Sequence, residues 1–363
     1  MLDFRPNEEQ KMLTETISRY SRERVRKVYR DAEEEGEIPE SLLKAGWEIG
    51  LLPTAMPEDF GGFGDYSAVT GALAFEEFAW GDLAVTLNVM TPNLVAIPFL
   101  LCGTEAQKAE YLPQFCDEAP PKMTAAMTEP AVQFSPYKLK TTAVLNDDEY
   151  ILNGTKTFVP LAEEAKYILV YAAEDGKTQA FLVPADAEGL TIGGRNKLMG
   201  IRSLPTNLVT LASVLVPATN KLGGETGIDF SLILNHSRVA LGAAAVGLAR
   251  AGFEYSREYA KERVQFGEPI AHRQSIAFML ADMATEVDEA RLLVWETAWK
   301  LDQGQDATAE ATIMKQHVDR LVMQIADRAV QILGGYGYIR EYPVELWLRN
   351  ARGFATFDGL AIV

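Results

Sequence analysis

The sequence predicts an α+β chain of three successive domains: helices over residues 1–118, a small β domain over 119–222, and a helical bundle over 223–363. Two observations carry this. The texture changes twice: helix-forming runs give way near residue 119 to short apolar stretches separated by turn residues, and long helical patterns return near 223. No internal repeat and no low-complexity linker interrupts the chain.

The elements follow in order. Asn7 is suited to cap a helix from Glu8, because its side-chain oxygen can accept from the free NH groups of a first turn. Ser41-Leu42-Leu43 opens another helix that ends near Gly50. The loop from Pro57 to Gly64 breaks the pattern, and helix-forming runs resume at Ser67. In the middle region, Glu149 to Gly154, Tyr167 to Tyr171 and Ala180 to Val183 read as strands, with Glu174-Asp175-Gly176 as a turn. Beyond 223, Ile276, Met279, Leu280, Met283 and Val287 fall at helical spacing. Ile313, Val318, Leu321, Val322, Ile325, Ala329, Val330 and Leu333 do the same. Four such helices suit a bundle.

Composition narrows the function. With 363 residues, 48% of them hydrophobic, the chain can bury substantial cores. A net charge of −17 argues against nucleic acid or an anionic membrane as a partner, so an anionic ligand must meet local arginines. The two cysteines, Cys102 and Cys116, form no disulfide framework and fit a reducing compartment. The start, Met1 to Pro6, lacks the pattern of a signal peptide, and the most apolar stretch, Ile228 to Ala251, is interrupted by Asp229, His236, Arg238 and Arg250. A cytoplasmic protein is expected. The three histidines, His236, His272 and His317, are scattered without metal-ligand spacing, so no metal is expected, and neither a nucleophile elbow nor a P-loop appears.

The chain ends with Gln331-Ile332-Leu333-Gly334-Gly335-Tyr336-Gly337-Tyr338, then Glu341-Tyr342-Pro343-Val344-Glu345, Arg349-Asn350-Ala351-Arg352, and the triplet Phe357-Asp358-Gly359. Upstream, in order, lie Pro57 to Gly62, Met127-Thr128-Glu129-Pro130, Asn153-Gly154-Thr155-Lys156, Gly200-Ile201-Arg202-Ser203 and Arg263-Val264-Gln265-Phe266-Gly267. This series resembles the acyl-CoA dehydrogenase family over nearly the full chain. The resemblance implies the family's fold, with an N-terminal helical domain, a middle β-barrel-like domain and a C-terminal four-helix bundle. It also implies FAD as cofactor, an acyl-CoA substrate, an electron-transferring flavoprotein as electron acceptor, a role in lipid or carboxylic acid metabolism, and a homotetramer.

By the same resemblance, Asp358 is the base that removes a proton α to the thioester while the β hydrogen leaves as hydride to flavin N5. Gly359 and the segment Asn235-His236-Ser237-Arg238 border the substrate. Met127 and Thr128 lie against the flavin ring, where Phe158, Val159 and Pro160 also match. Arg263, with Gln265 and Phe266, and Gln331, Ile332, Gly334 and Gly335 match segments that reach the FAD of a neighbouring subunit, and Arg273 and Gln274 match a further FAD-contacting pair. Local readings stay open beside these roles. Arg263 also suits a cation near a helix C-terminus, Gly334 a helix stop, Arg273 a solvated helix start, Arg238 a buried charge paired with an acid, and Asp358 a surface turn.

The chain departs from the family pattern at four places. The family's usual base is Glu; Asp358 is one methylene shorter, about 1.5 Å of reach. Phe134 stands where the family has a Ser that contacts pyrophosphate or substrate, Leu360 replaces a usual Thr, and Pro160 replaces a Ser or Thr, offering flavin N5 neither hydroxyl nor NH. Two polar contacts with the flavin side are expected to be lost. By the resemblance, an Asp base in this fold suggests an unusual or cyclic acyl group. Two alternatives remain: a redox-silent or FAD-sharing subunit of a hetero-oligomer with a paralogue, and a non-oxidative acyl-CoA elimination on the same fold.

Overall fold

The computed structural model describes residues 5–363; the start of the chain, Met1–Phe4, lies outside them. Helix α1 (Glu8–Tyr20) begins with a reciprocal cap, in which Gln10 N donates to Asn7 Oδ1 at 2.8 Å and Asn7 N to Gln10 Oε1 at 2.9 Å. A π-helical turn, Ser21–Val25, leads into α2 (Arg26–Glu35). Helix α3 (Glu40–Trp47) starts after Pro39, so Ser41 lies inside the first turn instead of capping it; the proline ring holds φ at −56° and turns the chain into the helix without a side-chain cap. Then follow α4 (Leu51–Thr54), α5 (Ala68–Gly81, capped by Ser67), α6 (Leu83–Val89, capped by Asp82), α7 (Asn93–Cys102) and α8 (Glu105–Tyr111).

The middle domain is one seven-stranded sheet. Its strands are β1 (Met123–Ala126), β2 (Thr142–Asn146), β3 (Glu149–Pro160), β4 (Tyr167–Glu174), β5 (Lys177–Pro184), β6 (Leu190–Arg195) and β7 (Thr206–Pro217). They run in the order β1-β4-β2-β3-β7-β6, with β5 also paired to β4. The β4–β5 hairpin closes through Asp175 and Gly176 at φ 48° and 77°, the left-handed pair that matches strand twist in a two-residue turn.

Three long helices complete the fold: α9 (Phe230–Glu262), α10 (Gln274–Asp302) and α11 (Thr308–Leu333), with a short α12 (Val344–Ala351). A two-strand ribbon of β8 (Val264–Gln265) and β9 (Glu268–Pro269) joins α9 to α10. Helix α9 is the spine, packed against α5, α10 and α11. It is long and apolar enough to cross a membrane, yet 89% of its most apolar window is buried inside the protein, so its hydrophobicity serves the core. On α11 the buried stripe is Ala311, Met314, Lys315, Val318, Leu321, Val322 and Ile325. Ile313, expected on that face, is 63% exposed because it lies a turn's fraction off the stripe.

After α12 the chain makes a short turn at Phe354–Thr356 and runs inward. Leu360 to Val363 are buried; Asn93 Nδ2 donates to the Ile362 carbonyl at 3.3 Å and Tyr66 Oη to the Val363 carbonyl at 2.5 Å. These contacts fix one side of the loop that carries Asp358.

Candidate active site

The sheet side of the site starts at the end of β1. Glu129 is buried, accepting from Lys140 N at 2.7 Å, Thr141 N at 2.8 Å and Lys156 Nζ at 3.0 Å. Lys156 is buried too and also donates to the Met127 carbonyl at 3.0 Å. Burial pushes the Lys156 ammonium down to about 8, against the pull of Glu129. For Glu129, burial would raise the carboxyl, but Lys156 and the backbone NH groups outweigh it and hold it below its ordinary value. This pair ties Met127-Thr128 to β3 just before Phe158, and Thr157 N donates to the Thr128 carbonyl at 2.9 Å.

Phe158 sits in a bulge of β3 with φ 54°, a strained value for an aromatic residue, and its half-buried ring packs on the helical core. Val159 and Pro160 are buried next to it; the Pro160 carbonyl accepts from Thr124 Oγ1 at 2.7 Å, and its nitrogen carries no hydrogen.

The Asp358 loop closes on this segment. Thr128 Oγ1 donates to the Asp358 carbonyl at 2.8 Å, which leaves the hydroxyl only its acceptor side for any other group. Gly359, at φ 81°, is required here: a Cβ would lie 2.7 Å from the Met127 Cβ. The Asp358 side chain is 26% exposed, so it is not a free surface group. Its Oδ1 is buried and has no hydrogen-bond partner among the described residues.

The helical wall comes from α9 and α11. Asn235 Nδ2 donates to Thr308 Oγ1 at 3.1 Å and Arg238 Nη1 to Thr312 Oγ1 at 2.8 Å, bridging the two helices. Arg238 is therefore tied to a hydroxyl, although Asp319 lies within its field. Asn235 Oδ1, Ser237 Oγ and Arg238 Nε are buried without partners among the described residues. A wall with this many orphaned polar atoms is suited to a polar ligand, since such groups in a finished core are paired. His236 donates Nδ1–H to the Leu232 carbonyl at 2.8 Å, and burial pushes it down to about 4, so it is neutral.

Two residues that the sequence reading did not single out complete the wall. Lys315 Nζ donates to Asp319 Oδ2 at 2.5 Å and to the Phe354 carbonyl at 2.9 Å, and stands 3.8 Å from Asp358 Oδ1. The available signal was a lysine set among the apolar positions of α11.

Other expected site residues lie elsewhere. Arg263, Gln265, Ile332, Gly334 and Gly335 line one groove of about 790 Å³, with the Arg263 guanidinium 5.0 Å above the Tyr336 ring. Gln331 is exposed on the turn of α11 leading to it. Arg263 also caps the end of α9, so its place at a helix C-terminus holds together with the groove. Phe266 and Gly267 form the tip of the β8–β9 ribbon, and Phe266 is 91% exposed. Arg273 pairs with Glu268 at 3.2 Å, and Gln274 opens α10 exposed. Phe134 packs its half-buried ring on the cluster around Leu94, Leu112 and Phe230.

The groove is not the Asp358 site. From Lys315 to Leu333 is eighteen residues of α11, about 27 Å of helix axis at 1.5 Å each. One set of expected cofactor residues therefore borders Asp358, while the other opens outward at the far end of the same helix.

A half-buried loop carboxylate held between a strained sheet edge and a polar helical seam, in a chain of helical, sheet and helical domains, is the arrangement to compare with known proteins. The chain matches the N-terminal domain of acyl-CoA dehydrogenases over residues 7–119, the middle domain over 124–214 and the C-terminal domain over 229–361. It is 34% identical to the caffeyl-CoA reductase–Etf complex subunit CarC of Acetobacterium woodii, covering 98% of this chain and 96% of that protein. Identity to the cyclohexane-1-carbonyl-CoA dehydrogenase of Geobacter metallireducens is 33%, covering 98% and 95%. Among solved structures, butyryl-CoA dehydrogenase from Megasphaera elsdenii superposes with a TM-score of 0.90 at 31% identity, covering 99% and 96%. The chain belongs to the acyl-CoA dehydrogenase family and is an oxidoreductase of that family.

Proposed function

We propose that the protein catalyses FAD-dependent α,β-dehydrogenation of an acyl-CoA thioester, with Asp358 as the base that takes the α proton. The observation that carries this is the Asp358 carboxylate, whose Oδ1 is buried without a hydrogen-bond partner among the described residues at the meeting of the Thr128 segment, α9 and α11. A base must have a lone pair free to receive a proton, and this one is shielded from bulk water. FAD, when bound, supplies the acceptor for the hydride that leaves the β carbon. The chain's own residues orient the base: Thr128 and the buried end of the loop hold its backbone, and Gly359 allows the loop to approach Met127 closely.

The residues fit FAD in two parts. Met127 and Thr128 touch the loop of the base, with the strained Phe158 and Val159 following Thr157 on the adjoining strand, while the outward groove offers a guanidinium, an amide side chain and open glycine backbone, a set suited to a diphosphate. Their separation supports an assembly in which each groove serves a second copy's FAD, such as a homotetramer. The CarC relative supports an electron-transferring flavoprotein as partner, which in a dehydrogenation would be the electron acceptor, and the Geobacter relative supports a cyclic acyl group as substrate.

The test is colour. Yellow protein should be bleached anaerobically by a suitable acyl-CoA, and Asp358→Asn should slow bleaching by about 10²- to 10⁴-fold with the thioester still bound. Unchanged bleaching in that variant would remove Asp358 from the reaction. A second reading, an FAD-sharing subunit of a hetero-oligomer, is favoured by Pro160 and the engaged Thr128 hydroxyl, which leave the flavin side short of donors. Colourless protein with no flavin in an acid extract would favour that reading.

A further inference from the structure

We propose that Lys315 and Asp319 are positioning residues for Asp358: Asp319 holds the Lys315 ammonium off the base, so the cation stands beside the carboxylate without bonding to it. The proposal rests on Asp358 being the base.

The geometry is specific. The Lys315 side chain is 8% exposed, and an ammonium has three protons to donate. One goes to Asp319 Oδ2 at 2.5 Å, four residues on along α11, and one to the Phe354 carbonyl at 2.9 Å, in the turn that leads to Asp358. The distance to Asp358 Oδ1, 3.8 Å, is beyond hydrogen-bond reach but within strong electrostatic range. Lys315 thus ties the base loop to α11 and places a positive charge beside the base in one arrangement.

That placement suits a proton acceptor. A lysine bonded directly to Asp358 would stabilise the carboxylate and weaken it as a base, whereas no cation at all would leave two carboxylates facing one another across a buried seam. Asp319 settles the ammonium between these extremes. Burial pushes the Asp319 carboxyl up to about 6, Lys315 opposes that rise, and Asp358 adds to it, as expected when two acids share one lysine. Among the described residues, the charged and titratable groups on the elements around Asp358 are these. Helix α9 contributes Arg238, tied to Thr312, and the neutral His236; α11 contributes Lys315 and Asp319; the β1 side offers the Thr128 hydroxyl, with the Glu129–Lys156 pair behind it. Removing Asp319 leaves Lys315 one carboxylate to pair with, and that carboxylate is Asp358.

The variants Asp319→Asn, Lys315→Met, Lys315→Arg and Asp358→Asn test this. A crystal structure of Asp319→Asn should show Lys315 Nζ within about 3.2 Å of Asp358; an ammonium still out of hydrogen-bond reach overturns the proposal, whether or not the protein is active. In anaerobic bleaching by butyryl-CoA or cyclohexane-1-carbonyl-CoA, Asp319→Asn should shift the acid limb of the pH profile to lower pH and slow the plateau about tenfold. Lys315→Met should shift that limb to higher pH, and Lys315→Arg should restore it. Limbs that shift together, or not at all, refute the arrangement; if Lys315→Met fails to fold, Asp319→Asn decides alone. Full bleaching by Asp358→Asn would instead sink the base assignment and this inference with it.

Discussion

Asp82 shows how one buried acid sets a pH dependence away from the site. Its Oδ1 accepts from Val85 N at 3.0 Å and caps α6, while burial pushes its carboxyl up to about 6, with the Val85 amide and Arg26 opposing the rise and Glu33 adding to it. The folded state therefore binds this proton more tightly than the unfolded chain does. The stability it contributes is present at low pH and is lost as pH rises from the ordinary aspartate range through 6. Asp82→Asn keeps a cap acceptor and removes the charge. It should be more stable than the parent near pH 8 by on the order of 3 kcal/mol, a difference that vanishes below about pH 4 in chemical denaturation. Arg26 is not orphaned by the change, because it also lies 4.5 and 4.6 Å over the rings of Trp80 and Trp347. At this scale the motif residues Asp358, Gly359, Thr128 and Arg238 were legible, because their order along the chain is distinctive. Lys315 and Asp319 were not, since a lysine four residues before an aspartate is an ordinary surface pair until the helix turns it inward.

Among the elements, α9 decides the architecture, and its packing depends on glycine. At Gly247 an added Cβ would come 2.2 Å from the Glu76 carbonyl and 3.0 Å from Trp80 N, so α5 and α9 approach backbone to backbone. That contact holds the buried Glu76 and the half-buried Arg250 and Arg291 in register, with Arg250 Nη1 to Glu76 Oε1 at 2.8 Å and Arg291 Nη2 to the same oxygen at 2.9 Å. Gly247→Ala should cost about 1–3 kcal/mol in denaturant unfolding, because two helix backbones cannot separate locally; an unchanged midpoint would show that the helices slide freely. The cap at Asn7, the return of helix at Ser67 and the Asp175-Gly176 hairpin were readable, since each depends on a few neighbouring residues. The helix expected at Ser41 begins one residue earlier, because Pro39 sets the chain direction first, and Ile313 misled because several apolar residues compete for one stripe.

For the whole molecule, the informative relation is the distance between two open features: the Asp358 seam and the groove at Gly334-Gly335. Nothing lies within 4 Å of a Cβ added at Gly335. Gly335→Ala should leave the melting temperature of the flavin-free protein unchanged while lowering the flavin-to-protein ratio of purified material, as expected if a partner's FAD approaches that backbone closely; an unaltered ratio would detach the groove from the cofactor. The order of the domains, the loop carboxylate and the series of motifs were determined by the sequence itself, because they depend on periodicity, turn chemistry and residue order, all local along the chain. Tertiary structure alone decided which charges face Asp358, that Thr128 binds its backbone, and that the expected cofactor residues fall into two sets on opposite ends of α11. Those facts depend on which faces of separate helices and strands are packed together, and on a low-polarity interior in which a few ångströms separate a bonded ion pair from a free base.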